Sequence, residues 1–206
     1  MKNSYIIIAV LVVLIFIVGG SGCSSYNKLV TMDEEINNAW AQVENQYQRR
    51  LDLIPNLVAS VKGYATHEKE TYTGLAEARS GLTNAYNEAQ AVTKDQQTAP
   101  DSEQQIADFQ ARQQKLQSAL GIYVNAVHEA YPELKADKTF LDLMTQLEGT
   151  ENRISTERSR YNEAVKEYNI KVRKFPGSIF AGMFGFGVKA PFQADAEANK
   201  APQVQF

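Results

Sequence analysis

Ile36, Trp40, Val43, Tyr47, Arg50, Ile54, Leu57, Val61 and Tyr64 recur at alternating steps of four and three residues. That spacing lays one stripe along an α-helix and keeps it in line for about four heptads. A helix cannot bury its own stripe, so the chain must supply other helices of similar length to cover it. Two residues interrupt the pattern. Arg50 is the one charge on the stripe, and Pro55 removes a backbone hydrogen bond and crowds the carbonyl of Leu51, at about 3 kcal/mol in an ideal helix. A kink at Pro55 is expected, or a restart with Asp52 as the cap. Gly63 suits a C-cap, Thr66 the next N-cap, and Glu68 the first turn that follows.

Three more stripes follow. Leu75, Ala78, Leu82, Ala85 and Ala89 mark a second, alanine-rich helix over about 66–92. A polar loop ends at Pro100. Ser102 and Gln105 then form a capping-box pair opening a third helix over about 102–131, with Ile106, Phe109, Gln113, Leu116, Leu120, Tyr123 and Val127 on its stripe and Pro132 at its end. Asp137 or Thr139 opens a fourth over about 137–174, with Phe140, Met144, Leu147, Glu151, Ile154, Arg158, Tyr161, Val165, Tyr168 and Val172. Phe175-Pro176-Gly177 stops it. With a first helix over about 26–62, residues 23–176 are expected to form an all-α, long, antiparallel up-and-down four-helix bundle.

Residues 177–206 differ. Five phenylalanines stand among four glycines with no clean period. This C-terminal tail either covers a leftover apolar groove on the bundle or touches a membrane or partner.

Residues 1–22 are a membrane anchor or a signal peptide. Tyr5 to Val18 is an unbroken apolar run, short for a span of roughly 20 residues and close to a signal-peptide core. Lys2 precedes it and Asp33, Glu34 and Glu35 follow, which favours an extracytoplasmic body. Cys23 follows Ser21 and Gly22, as at a lipoprotein processing site, but Gly20 stands where such sites carry a branched apolar residue. A lipidated Cys23 and an uncleaved anchor both stay open.

Chemistry is sparse. The net charge is -3, with 21 basic and 24 acidic residues, so the basic stripe of a nucleic-acid binder is not expected. One cysteine allows no intrachain disulfide, and no metal or cofactor site is expected. His67-Glu68 starts a zinc-protease motif, but Thr71 stands at the second histidine position. Neither histidine closes the Glu-x-x-His pattern of di-iron bundles, and no catalytic constellation emerges. What stands out is charge on the stripes: Arg50, Glu151 and Arg158. Antiparallel packing brings Arg50 toward Glu151, and a buried pair there would fix register and orientation.

The chain resembles the LemA family of bacterial membrane-associated proteins. The resemblance is carried by YNKLV at 26–30, Ala39-Trp40, Arg49-Arg50, DLIPNLV at 52–58, VKGY at 61–64 with His67-Glu68, Glu77-Ala78-Arg79, YPEL at 131–134, LEGTENRI at 147–154, Arg160-Tyr161-Asn162, Tyr168-Asn169, Phe175-Pro176 and Ala201-Pro202. It implies an N-terminal membrane segment ahead of an up-and-down four-helix bundle, and no catalytic residues. GSGCSS departs from the commoner pattern, in which the membrane helix continues.

Two kinds of function fit. One is a non-enzymatic scaffold held in the cell envelope, offering a helix face to other envelope proteins or to a second copy. The other is an enzyme or small-ligand binder with a polar site around Arg50, Glu151 and Arg158.

Overall fold

The structure is a computed structural model describing residues 2–65 and 73–193, with side chains for 22–64 and 73–193. All regular structure among these residues is helical. Helix α1 spans Lys2–Ala65, α2 Thr73–Asp95, α3 Glu103–Ala130, α4 Lys138–Arg173 and α5 Gly177–Phe184, with a 3-10 turn at Pro132–Ala136 between α3 and α4. The apolar run and the first stripe therefore share one helix of 64 residues. The expected cap at Thr66 and first turn at Glu68, together with His67, lie outside the described residues.

Pro55 sits inside α1, and the chain does not restart there. Asp52 is no cap: its carboxylate accepts from Gln48 Nε2 at 2.7 Å and its carbonyl from Asn56 Nδ2 at 3.2 Å. Leu51, Ile54 and Leu57 are buried on either side of the proline. Each such residue contributes about 1.5–3 kcal/mol, so packing outweighs the lost backbone bond. Helix α1 also continues past Gly63, so that glycine is not a C-cap.

The caps of α3 and α4 follow from local chemistry. Ser102 and Gln105 form the reciprocal capping box, and Asp137 accepts from the Phe140 N–H at 2.8 Å.

Side-chain pairs set the helix directions. Trp40 meets Tyr161 and Arg50 meets Glu151, so α4 runs against α1. Thr93 meets Gln113 and Glu88 meets Lys115, so α3 runs against α2. Tyr47 meets Phe109 and Arg50 meets Gln117, so α3 runs with α1.

The core forms two clusters. One holds Leu29, Ile36, Trp40, Val43, Tyr47, Phe109, Tyr161 and Tyr168 among others. The second holds Leu51, Leu57, Leu82, Leu116, Tyr123, Val127 and Phe140 among others. Tyr64, expected on the stripe, is exposed beside Tyr131 near the end of α1.

The tail is more ordered than its composition suggests. Helix α5 buries Phe180 and Ala181, and it ends at Gly185, whose φ of 79° lies in the left-handed region that glycine adopts without a Cβ clash. Beyond it, residues 186–193 form a non-helical strap.

Candidate functional site

Among the described residues the buried polar and charged side chains are Arg50, Thr93, Gln113 and Thr150. Each comes from a different long helix, and together they form one layer where the two apolar clusters meet. Arg50 is 2% exposed. Its Nη1 donates to Glu151 Oε1 at 2.8 Å and to Gln117 Oε1 at 3.2 Å. Its Nη2 donates to the side-chain and backbone oxygens of Gln113, at 2.6 and 3.2 Å. Gln113 Nε2 passes a bond on to Thr93 Oγ1 at 2.8 Å, which donates to the Ala89 carbonyl. These oxygens satisfy both Nη atoms of a guanidinium withdrawn from water, while its buried Nε has no hydrogen-bond partner among the described residues.

Arg158 stands apart from this network. It lies two turns beyond Glu151 on α4, where Phe192 of the strap arrives. Its guanidinium carbon is 4.7 Å from the Phe192 ring centroid, and Nη2 donates to the Gln193 carbonyl at 3.2 Å. Arg50, Glu151 and Arg158 nonetheless line one cleft of about 270 Å³ between α3 and α4, with Gln110, Gln114, Gln117 and Ser118.

The strap is held by a second set of residues. Asn169 donates to the Lys189 carbonyl at 2.8 Å and accepts its N–H at 2.9 Å. Asn162 does the same for Phe192, at 3.0 and 2.8 Å. Seven residues of helix rise about 10.5 Å, which three residues of extended chain also span at about 3.3 Å each. The two asparagines thus read a backbone and not a sequence. Phe192 supplies the side-chain anchor: it stacks on Trp40 at 5.8 Å and meets Tyr161 edge-on at 5.4 Å. Burial, then Asp101, pushes the Tyr161 hydroxyl above its ordinary range, so it stays protonated and donates to the Ala190 carbonyl at 3.1 Å.

The LemA family profile matches residues 39–206. The chain belongs to the LemA family. Among curated relatives, Magnetosome protein MamQ 2 of Paramagnetospirillum magneticum is 28% identical, the alignment covering 98% of this chain and 76% of the relative. Protein LemA of Metamycoplasma hominis is 26% identical, with 82% and 68% covered. Magnetosome protein MamQ of Magnetospirillum gryphiswaldense is 27% identical, with 78% and 62% covered.

Several blocks that carried the LemA resemblance now have physical roles. Tyr-Asn occurs at 161–162 and again at 168–169, one heptad apart. Both tyrosines face the core and both asparagines clamp the strap. Sequence reasoning passed over these asparagines, although their repeat at seven residues was a visible signal. It also passed over Gln113 as a partner for Arg50, although Gln113 stood on the α3 stripe. Lys189 had no such signal.

Among the described residues no three His, Cys, Asp or Glu side chains are placed to hold a metal ion. Cys23 is exposed on α1.

Replacing Asn169 with Ala in this LemA-family chain leaves the Lys189 N–H and carbonyl unpaired, at about 1–3 kcal/mol. The strap should then open about 5- to 150-fold more often. Tryptic cleavage after Lys189, followed by mass spectrometry, reads this directly. An unchanged rate would show that the clamp does not hold the strap.

Lys189 ties the strap to α1 and to the loop before α3. Its Nζ lies 2.6 Å from Asp101 and 3.3 Å from Asp33. Burial lowers its pKa, but the hydrogen bond to Asp101 and the charges of Asp33 and Asp101 prevail and raise it above 10.5. A folded-state pKa above the unfolded value gives stability that is complete below the unfolded value and lost as pH rises through the folded one. Thermal unfolding of wild type and Lys189→Met across pH should therefore show a constant advantage from neutral pH to about 10, vanishing at higher pH. An advantage that persists above both values would remove Lys189's charge as its cause.

Proposed function

We propose that this LemA-family chain is a membrane-anchored scaffold of the cell envelope: a stiff, antiparallel up-and-down four-helix bundle whose body stands on the extracytoplasmic side and engages other envelope proteins. The observation that carries this reading is the continuity of α1. The run Tyr5–Val18 lies in the same 64-residue helix as the core-forming stripe, roughly 95 Å long at about 1.5 Å per residue. No joint separates anchor from body, so the bundle would stand at a set angle to the lipid. Among the described residues no helix is long and apolar enough to cross a membrane; the side chains of Tyr5–Val18 lie outside that set.

Gly22 is buried against Phe180. Cleavage before Cys23 would remove it, so this packing favours the uncleaved anchor over the lipoprotein. The intact mass of the membrane-extracted protein tests the point. The full unprocessed mass is expected, and a mass shortened by 22 residues plus acyl chains would overturn the uncleaved reading.

The scaffold itself is tested by photocrosslinking from exposed positions on α2 and α3 in native membranes. Discrete adducts with the same few envelope proteins, or with a second copy, are expected. Their absence from every position would overturn it.

The cleft lined by Arg50, Glu151 and Arg158 favours one alternative, a binder of small polar solutes. Saturable binding lost on Arg158→Ala, with no protein adducts, would establish that alternative instead.

A further inference from the structure

Helix α5 is apolar apart from the exposed Ser178 in its first turn. Phe180 and Ala181 face the core, while Ile179 and Met183, one turn apart on the other side, are 55% and 68% exposed. Phe184 is exposed too, and Phe175, just before α5, is 76% exposed. A helix of this kind is ordinarily enclosed by protein or lipid, yet nothing in the chain's described residues encloses this side. Contiguous exposed apolar surface marks an interaction site.

Its position indicates the occupant. Phe180 packs on Gly22, its Cε1 3.1 Å from where a Cβ would stand, and Tyr26 meets the Phe184 and Phe186 rings at 5.0 and 5.8 Å. Gly22 lies four residues past the end of the apolar run at Val18, about 6 Å along α1. A bilayer's headgroup layer occupies about 5–7 Å on each side of its hydrocarbon core. Helix α5 would therefore lie at headgroup depth when the run sits in the core.

Charge agrees with that placement. A groove of about 400 Å³ beside α5 is lined by Lys28, Lys171 and Lys174 around Met32, Ile170 and Phe175, with Glu167 the one acidic member. An apolar surface with basic residues at its margin is the composition of interfacial membrane helices.

We propose that α5 and Phe175 form a second membrane contact, with Ile179, Met183, Phe184 and Phe175 entering the headgroup–acyl boundary and Lys28, Lys171 and Lys174 meeting the phosphates of anionic lipids. This rests on the N-terminal anchor proposed above. It adds a footing beside the anchor, where α5 packs on both α1 and α4, which would resist tilting of the post.

The test uses the full chain reconstituted in vesicles of brominated phosphatidylcholine and phosphatidylglycerol. Native Trp40 is fully buried and supplies a constant background. Ile179→Trp and Met183→Trp place new fluorophores on α5, and Ile122→Trp places one on the exposed far end of α3. Emission from the α5 positions should be lost to brominated lipid and spared by aqueous acrylamide, with the reverse at position 122. Variants that float with the vesicles but show acrylamide quenching on α5 would overturn the proposal and leave the anchor intact. Failure to float would overturn both.

Lipid quenching on α5 should persist at one copy per vesicle. Its disappearance on dilution would assign the surface to a second copy and overturn the lipid contact. Lys28→Glu with Lys171→Glu and Lys174→Glu, or omission of phosphatidylglycerol, should weaken the quenching several-fold. No change in either case would overturn the role of the lysines.

Discussion

Trp40→Ala is expected to destabilise the chain by about 3–5 kcal/mol. Trp40 is fully buried and touches Phe109 at 5.0 Å, Tyr161 at 5.5 Å and Phe192 at 5.8 Å. Those rings belong to α3, α4 and the strap, so one truncation opens a cavity against three partners of α1. Its indole N–H also donates to the Gln96 carbonyl at 2.9 Å, at the end of α2. For a chain of this size each kcal/mol lowers Tm by about 2–4 °C, so a fall of roughly 6–20 °C is expected. Circular dichroism of the full chain in detergent measures it. Trp40→Phe keeps a ring and loses the N–H, so it should lose less. If Trp40→Ala melts within a degree or two of wild type, the four elements do not meet at this residue.

The second large effect concerns Arg50 and Glu151. Removing one member of a buried ion pair costs about 3–5 kcal/mol. Glu151 is 31% exposed, so water can reclaim its carboxylate when Arg50 is removed. Arg50 is almost wholly buried, and it keeps only neutral oxygens when Glu151 is removed. Glu151→Met should therefore fall within that range, whereas Arg50→Met also disconnects Gln113 and Gln117. A double-mutant cycle should give a coupling energy of roughly 1–3 kcal/mol. Strictly additive costs would show that the two side chains do not interact. A cycle on Arg158 and Glu151 should be close to additive, since Arg158 bonds the strap.

The double mutant separates stability from register. Two methionines of similar length can fill the layer, and a buried pair is often replaceable by apolar residues without loss. If the polar layer serves to align the helices, the double mutant should be stable but should broaden in its side-chain NMR signals.

Much of the helical arrangement was legible in the residues alone. The stripes of α1, α3 and α4 repeat at fixed steps, and a repeat is a local property that needs no knowledge of neighbours. The same holds for the Ser102–Gln105 box and the Asp137 cap, which bond within their own turn. The sign of the Arg50–Glu151 pairing was also readable, because two opposite charges on facing stripes have few other places to go.

Other features depended on residues far apart in the chain. The continuity of α1 through Pro55 was decided by the burial of Leu51, Ile54 and Leu57, a sum of tertiary contacts larger than one local hydrogen bond. Arg158 left the charge network because Phe192, 34 positions later, provides an aromatic face for it. The strap has no period of its own, since asparagine side chains on α4 satisfy part of its backbone. Helix α5 escaped notice because an octapeptide whose one polar side chain is Ser178 has no polar face to reveal its period. Periodicity in one segment can be read without knowing what it packs on; a contact energy cannot, because half of each contact is supplied by a residue whose position only the folded chain defines.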